Sequence, residues 1–148
     1  MKKINCILLV DDNPADNYYN RFIINELDVC NHIQIAVNGL EALEYLRKTA
    51  DQHQTGSFPK PDIIFLDINM PRMSGFEFLE EYKELDQELK STIIIAMLVT
   101  SSNPDDRVKA LQIREVKEYL YKPLTSEAIY KLLDNYFYAA PLSVPSCL

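Results

Sequence analysis

The sequence predicts an α/β protein whose parallel sheet is covered by helices on both faces. Short apolar runs alternate with longer amphipathic segments, and this pairing occurs five times along the 148 residues. The first run, from Ile4 to Val10, consists mostly of Ile, Leu and Val, as is typical of a strand buried on both faces. Because strands and helices alternate strictly, each helix is expected to cross over to the next parallel strand.

The first helix is predicted directly after that strand. Asn13 suits the N-cap position, and Pro14 suits the first helical position. The residues expected to form the buried stripe of this helix are Phe22, Ile23 and Leu27. A weaker strand, from His32 to Val37, comes next. The apolar residues that mark the second helix are Leu40, Leu43 and Leu46.

The third strand runs from Ile63 to Leu66, and Asp67 stands at its carboxyl end. A polar segment from Lys48 to Pro61, which contains Gly, Ser and two prolines, predicts a loop before this strand. Ser74 and Glu77 have the spacing of a capping box, which indicates the start of a third helix. The residues that this helix is expected to bury are Phe78, Leu79 and Tyr82.

A fourth apolar strand, from Ile93 to Val99, ends at Thr100. The pair Asn103-Pro104 repeats the cap followed by proline, and two aspartates place negative charge in the first turn. A short fifth strand, from Tyr119 to Tyr121, precedes Lys122-Pro123. The last helix is expected to bury a stripe that consists of Ile129, Leu132, Leu133, Tyr136 and Phe137.

These five units indicate a flavodoxin-like, doubly wound α/β fold with a five-stranded parallel sheet. From the fold class we expect the strand order 2-1-3-4-5. Residues 1–138 are expected to form the domain, and residues 139–148, which include two prolines, a C-terminal tail.

Composition and charge argue against several classes of function. The net charge of -7 disfavours direct binding of nucleic acid, because phosphate backbones require clustered Lys and Arg. The three cysteines, Cys6, Cys30 and Cys147, are scattered, which argues against a zinc site or a disulfide framework. The apolar stretch near the N-terminus is too short for a signal peptide or a membrane span, so we expect a cytoplasmic protein without membrane contact.

Polar residues stand where four of the predicted strands end: Asp11 and Asp12, Asp67, Thr100, and Lys122. Ligands of open α/β sheets bind outside the carboxyl ends of the strands, at the switch point of the strand order. Three converging carboxylates repel one another and require a cation, and hard oxygen ligands favour Mg²⁺. Lys122 adds a positive charge suited to a phosphoryl oxygen. The sequence therefore predicts a site that tolerates a phosphoryl group on one of the carboxylates.

This arrangement resembles the receiver domain of two-component response regulators. The motifs that carry the resemblance are Asp11-Asp12, Asp67, Thr100, Lys122-Pro123 and the stretch from Asp67 to Gly75. It covers roughly residues 4 to 137, nearly the whole chain. Each motif alone is common, whereas all of them in order, each at a predicted strand end, are specific.

The resemblance implies a role for each residue of the site. Asp67 would be the nucleophile that takes a phosphoryl group from a phosphohistidine on a sensor histidine kinase or a phosphotransfer protein. Mg²⁺ would be bound directly by Asp12, through water by Asp11, and also by Asp67. Asn69, two residues after the nucleophile, would contribute its backbone carbonyl to the same ion.

Three further roles follow from the resemblance. Lys122 would pair with the phosphoryl oxygens, and the Lys122–Pro123 bond is often cis in such domains. Thr100 would move its hydroxyl onto the phosphoryl group, although a threonine here can also simply cap the next segment. Tyr119 matches the switch aromatic of the family, which turns inward as that hydroxyl moves, and its ordinary alternative is a half-buried strand tyrosine.

Two features depart from the family pattern. Receivers often carry a Gly-Ala pair shortly before the switch aromatic, where this chain has Glu115-Val116-Lys117-Glu118. The loop from Lys48 to Pro61 is longer than in minimal receivers, and in this respect the chain resembles single-domain regulators that include phytochrome-associated ones.

The sequence thus predicts a single-domain response regulator of the chemotaxis-regulator type, a phosphoacceptor signalling protein rather than an enzyme. Since no further domain follows residue 148, its output is expected to reach a protein partner through the surface of the fourth helix, fifth strand and fifth helix. The same surface offers an interface for a homodimer.

Two other functions remain open at this stage. A Mg²⁺-dependent phosphohydrolase would also use an aspartyl-phosphate, but such enzymes place a carboxylate two residues after the nucleophile, where this chain has Asn69. Slow self-dephosphorylation is therefore expected rather than rapid turnover. A pseudo-receiver, which keeps the fold without phosphorylation, is disfavoured by the intact set of acidic residues, threonine and lysine.

Overall fold

Five parallel strands form one sheet in the computed structural model, which describes residues 3–50, 58–90, 93–100 and 103–138. The strands are β1 (Ile4–Val10), β2 (Cys30–Ala36), β3 (Ile63–Asp67), β4 (Ile94–Val99) and β5 (Val116–Tyr121). Their order in the sheet is β2-β1-β3-β4-β5, which confirms the predicted order. The switch point therefore lies between β1 and β3, at the carboxyl ends of the strands.

Five helices accompany the strands: α1 (Pro14–Leu27), α2 (Gly39–Lys48), α3 (Gly75–Lys83), α4 (Pro104–Leu111) and α5 (Ser126–Leu133). A single helical turn, Gln87–Lys90, lies between α3 and β4, and a π-helical segment, Asp134–Tyr138, extends α5. The sequence did not predict the single turn, because none of its residues is buried and it has no apolar periodicity.

The sheet separates two apolar cores, as a doubly wound fold requires. On one face, α1 and α5 cover β-strand residues such as Ile7 and Phe65. On the other face, α2, α3 and α4 cover residues such as Leu8 and Ile64. Neighbouring residues from Ile7 to Val10 of β1 and from Ile63 to Leu66 of β3 alternate between the two cores, so these parts of both strands are continuously apolar.

Four strands differ from the sequence-based prediction at their ends, and β3 does so only by including Asp67 as its last residue. β5 begins at Val116 rather than at Tyr119, because the polar Lys117 and Glu118 interrupt the apolar run of this edge strand. β2 spans Cys30–Ala36 rather than His32 to Val37, and most of its side chains are only partly buried. β4 begins one residue later than predicted, at Ile94.

The buried face of α1 was predicted wrongly at Phe22, whose side chain is 51% exposed. The residues that α1 buries are Asn17, Asn20 and Ile24. Two of these positions are polar, so a search for apolar spacing passes over them. The side-chain amide of Asn17 donates a 2.8 Å hydrogen bond to the backbone carbonyl of Asp11. This bond gives one of the two buried amides the partner that a buried polar group requires.

Parts of two predicted segments lie outside the described residues. These are residues 51–57 of the predicted loop and all of the predicted tail, 139–148. The described part of the loop packs on the second helix, where the Tyr45 hydroxyl donates a 2.6 Å hydrogen bond to the Pro59 carbonyl. Phe58 meets the Tyr45 ring edge-on, with centroids 6.0 Å apart.

Side-chain caps fix the helices that start at the site. Asn13 Oδ1 accepts hydrogen bonds from the backbone N–H groups of Ala15 and Asp16, at 2.8 and 3.1 Å. At the start of α3, Ser74 and Glu77 form the predicted capping box, with both reciprocal bonds present. These caps satisfy backbone donors that a helix leaves free, and they hold the turns after β1 and β3 in place.

α4 buries few residues and makes two contacts between its cations and aromatic rings. Ala110 is its one buried residue, the fewest of the five helices. Lys109 Nζ lies 4.3 Å from the ring centroid of Phe76 on α3, and the Arg107 guanidinium lies 5.8 Å from that of Tyr119 on β5. Such contacts contribute about 0.5–2 kcal/mol each, and the apolar burial of α4 itself is small.

The start of α3 approaches the end of β3 very closely at Gly75. Its N–H donates a 2.7 Å hydrogen bond to the Ile68 carbonyl. A Cβ at this position would lie 2.5 Å from the Asp67 carbonyl oxygen and 3.0 Å from Ile68 Cα, both of which are backbone atoms. The segment that carries Asp67 therefore accepts only glycine at position 75 without a shift of the chain.

We expect Gly75→Ala to lower the free energy of unfolding by about 1–3 kcal/mol, because backbone must move to admit the methyl group. Gly39→Ala is the matched control, since its Cβ would meet the flexible side chain of Met73, 2.6 Å from Sδ. Denaturant unfolding of both variants measures the difference. An equal loss in the two variants would contradict the backbone contact as its cause.

Candidate functional site

The carboxyl ends of four strands bring the predicted site residues to one cavity of about 390 Å³. Asp11 and Asp12 follow β1, Asp67 ends β3, Thr100 follows β4 and Lys122 follows β5. The residues that line the cavity are Asp11, Asp12, Asn13, Pro14, Asp16, Asp67, Asn69, Thr100 and Lys122. Of the residues singled out from the sequence, Tyr119 alone lies away from it, in the core beneath α4.

Lys122 is the centre of this cavity. Its Nζ lies 2.8 Å from Asp11 Oδ2, 2.8 Å from Asp16 Oδ2 and 3.3 Å from Asp67 Oδ1. The side chain is only 11% exposed, so the ion pairs are poorly screened by water. Its bond to Pro123 is cis, as the family resemblance implies.

Asp16 was not predicted as a residue of the site. It lies in the first turn of α1, four residues beyond Asp12, and its carboxylate reaches the lysine from the helix side. The sequence contained a signal for it, since a helix that starts directly after a strand end carries its first turn to the same edge of the sheet. An acidic residue in the first turn of a helix is usually explained by its favourable interaction with the helix dipole, so the sequence alone assigns Asp16 no role in the site.

Three carboxylates form a cluster that can hold a metal ion. One oxygen from each of Asp11, Asp12 and Asp67 lies within 4.8 Å of the others. Both oxygens of Asp11 already accept hydrogen bonds, from Asn13 N–H at 2.9 Å and from Lys122. Within the described residues, the exposed carboxylate of Asp12 has no hydrogen bond or ion pair, so its oxygens are free for a ligand.

The surroundings of Asp67 favour its protonated form. Burial raises the pKa of this carboxyl, the neighbouring Asp11 raises it further, and Lys122 opposes both, which leaves the pKa at about 6. For Lys122, burial lowers the pKa, but the hydrogen bonds to Asp11 and Asp16 outweigh that effect and hold its pKa above the usual range. The lysine is therefore a permanent cation beside a carboxyl that ionises below neutral pH.

Thr100 and Tyr119 differ in exposure. Thr100 is exposed at the wall of the cavity. Tyr119 is buried, and its hydroxyl has no hydrogen-bond partner among the described residues. The Tyr121 ring meets the Tyr119 ring edge-on, with centroids 5.7 Å apart, and the Arg107 guanidinium faces it from α4.

Comparison with known proteins identifies this arrangement. Residues 7–134 match the family model of the response regulator receiver domain. The chain belongs to this family. Receiver domains are signalling modules that are phosphorylated on an aspartate and that interact with histidine kinases or phosphotransfer proteins.

Three relatives of this receiver match it over most of their length. "Response regulator Rcp1" of Synechocystis sp. is 30% identical over 129 residues, which cover 87% of this chain and 84% of that protein. A two component response regulator from Cytophaga hutchinsonii matches with a TM-score of 0.81 at 32% identity, over 91% of this chain and 98% of that chain. The bacteriophytochrome response regulator AtBRR matches with a TM-score of 0.69 at 27% identity, over 90% of this chain and 93% of that chain.

A search of the described helices finds none that is long and apolar enough to cross a membrane.

The raised pKa of Asp67 predicts that the metal-free receiver loses stability as the pH rises. Unfolding lowers the pKa of this carboxyl from about 6 to its ordinary value of 3.8. At pH values between these two, the folded state therefore binds more protons than the unfolded state. Asp67→Asn removes this penalty and should be more stable than the wild type at neutral pH, by on the order of 2 kcal/mol. The advantage should shrink towards zero at about pH 4.

Denaturant unfolding in the presence of a chelator, repeated across this pH range, measures the difference. Asp105→Asn is the control, because Asp105 is exposed in the first turn of α4 and has no ion pair in the described part of the chain. A difference between Asp67→Asn and wild type that does not change with pH would contradict the assignment.

Proposed function

We propose that this receiver accepts a phosphoryl group on Asp67 from a sensor histidine kinase or a phosphotransfer protein. The observation that carries the proposal is the position of Lys122, whose ammonium lies 3.3 Å from Asp67 Oδ1 and 2.8 Å from Asp11 Oδ2. A fixed cation at this place can pair with an oxygen of a phosphoryl group that Asp67 carries. The neighbouring carboxylates would otherwise repel that group strongly.

The carboxylate cluster fits Mg²⁺, whose preferred ligands are carboxylate and carbonyl oxygens and water. Asp12, with free oxygens, would bind the ion directly. Asp11, with both oxygens engaged, would act through water. Asp67 and the backbone carbonyl of Asn69 would complete the protein's share. When bound, the ion would neutralise charge on the transferred phosphoryl group.

The transfer itself requires one nucleophilic oxygen and no general base. An oxygen of Asp67 attacks phosphorus in line, and the new O–P bond forms as the P–N bond of the phosphohistidine breaks. The ring leaves with the bonding electrons as neutral imidazole, because its other nitrogen carries a proton. With a pKa of about 6, Asp67 is mainly ionised at neutral pH and ready to attack. Lys122 meanwhile moves from the carboxylate oxygen to a phosphoryl oxygen of the product.

Phosphorylation would then act on α4. The exposed Thr100 hydroxyl would move onto the phosphoryl group, and Tyr119, which packs against Arg107 of α4, would respond to that move. The scarcity of buried residues in α4 supports this choice of moving element, since few apolar contacts oppose its displacement.

The output surface would be formed by α4, β5 and α5, which expose several large apolar side chains. These are Val108 and Leu111 on α4, Tyr121 on β5 and Tyr130 on α5. Exposed apolar groups on adjacent elements suit a protein partner, or a second copy of the chain, rather than nucleic acid. Such exchange with kinases and partners would take place in the cytoplasm.

Incubation with acetyl phosphate and Mg²⁺ should add one phosphoryl group to the wild type and none to Asp67→Asn, because the amide lacks a nucleophilic oxygen. Intact-protein mass spectrometry measures the gain, and beryllofluoride binding offers a second test. Asp105→Asn should be modified like the wild type. An unmodified wild type, or multiple turnovers on small phosphate esters, would contradict a phosphoacceptor signalling role.

Mg²⁺ alone should raise the thermal midpoint of the wild type, because an ion that binds only the folded state stabilises it by mass action. Asp12→Ala should weaken Mg²⁺ affinity by about tenfold or more, since it removes a directly bound carboxylate. Titration calorimetry and thermal unfolding measure both effects, with Asp105→Ala as control. Unchanged affinity in Asp12→Ala would show that the cluster does not bind the ion as proposed.

A further inference from the structure

The ammonium of Lys122 has three N–H donors and faces three carboxylates. The contacts to Asp11 and Asp16 are both 2.8 Å, whereas the contact to Asp67 is 3.3 Å. The contacts to Asp11 and Asp16 are hydrogen bonds, and the contact to Asp67, where the phosphoryl group is expected, is a longer ion pair. With two of its donors engaged, the ammonium keeps one donor available for an oxygen at Asp67.

Asp16 differs from the other two carboxylates in its surroundings. It is not part of the cluster formed by Asp11, Asp12 and Asp67. Its backbone N–H is held by the Asn13 cap at 3.1 Å, so it sits on a rigid first turn. Within the described residues, its carboxylate has one hydrogen-bonded partner, Lys122.

The space around Lys122 extends into a second cavity. This cavity, of about 420 Å³, adjoins the first and is lined by Asp16, Tyr19, Asn20, Thr100, Lys122 and Pro123. Lys122 borders both cavities, so its flexible side chain has space on either side. Asp16 also lines both cavities, and its 2.8 Å contact holds the ammonium where they meet, within 3.3 Å of Asp67 Oδ1.

We propose that Asp16 is a positioning residue that keeps Lys122 directed at the oxygen carried by Asp67. This inference rests on the proposed phosphorylation of Asp67 and names one more residue on which that reaction depends. Asp16 touches neither the reacting oxygen nor the metal cluster, and it acts through the lysine.

The negative charge of Asp16 has an effect on the phosphorylation rate that opposes the effect of positioning. Asp16 adds negative charge near a site that must receive an anionic donor, so its removal by charge alone would speed phosphorylation. The 2.8 Å contact on a capped helix favours positioning as the larger effect. Asp16→Asn and Asp16→Ala separate the two, because both remove the charge and only the asparagine keeps an acceptor oxygen.

The experiment measures phosphorylation by acetyl phosphate at saturating Mg²⁺ for the full chain. We expect the rate constant to fall about tenfold in Asp16→Ala and less than about threefold in Asp16→Asn, as for other residues that orient a reacting group. Asp105→Ala is the control, because it also removes a first-turn aspartate from a helix opened by Asn-Pro. It should leave the rate unchanged.

A second readout needs no phosphorylation. In the metal-free protein, the ¹⁵N-labelled ammonium of Lys122 should give an NMR signal protected from proton exchange with water, and Asp16→Ala should lose that protection. A normal rate in Asp16→Ala, or equal acceleration in both Asp16 variants, would overturn the proposal. If the wild type itself takes up no phosphoryl group, the proposed function fails, and the NMR signal alone still decides whether Asp16 holds Lys122.

Discussion

The ion-pair network of Lys122 is the interaction on which the rest of the site depends. Four carboxylates, those of Asp11, Asp12, Asp16 and Asp67, line one cavity, and a single, mostly buried ammonium contacts three of them. Removing the lysine would leave several carboxylates without their cation, and the loss of one partner from a buried ion pair costs about 3–5 kcal/mol. The folded receiver is therefore compatible with this density of acidic groups only while the lysine stays in place.

The parallel sheet explains how these residues meet. Parallel strands all end at one edge, so side chains that are far apart in sequence, such as Asp11 and Lys122, become neighbours when β1, β3 and β5 are in one sheet. The two apolar cores then make the strands rigid, and the caps at Asn13 and Ser74 fix the turns that leave them. The helix caps and the strand order therefore both determine where the residues of the site lie.

Much of this organisation could be predicted from the sequence, for physical reasons. Central strands buried on both faces appear as continuous apolar runs, and the ends of such runs mark the edge where Asp67 and Thr100 stand. The failures were also systematic. Phe22 was expected inside because apolar side chains usually are, but α1 buries Asn17 and Asn20, which are polar. Asp16 was missed because an acidic residue in a first helical turn is explained by the helix dipole alone, whereas its contact with Lys122 spans 106 positions of chain.

The small apolar burial of α4 has a consequence for which parts of such a protein tolerate sequence changes. A helix that contributes only Ala110 to the core can exchange most of its other side chains with little loss of stability. The edge that carries Asp67, by contrast, tolerates little change at position 75, since a Cβ there would lie 2.5 Å from the Asp67 carbonyl oxygen. Sequence changes in α4 should therefore be tolerated more readily than changes at the edge that carries Asp67.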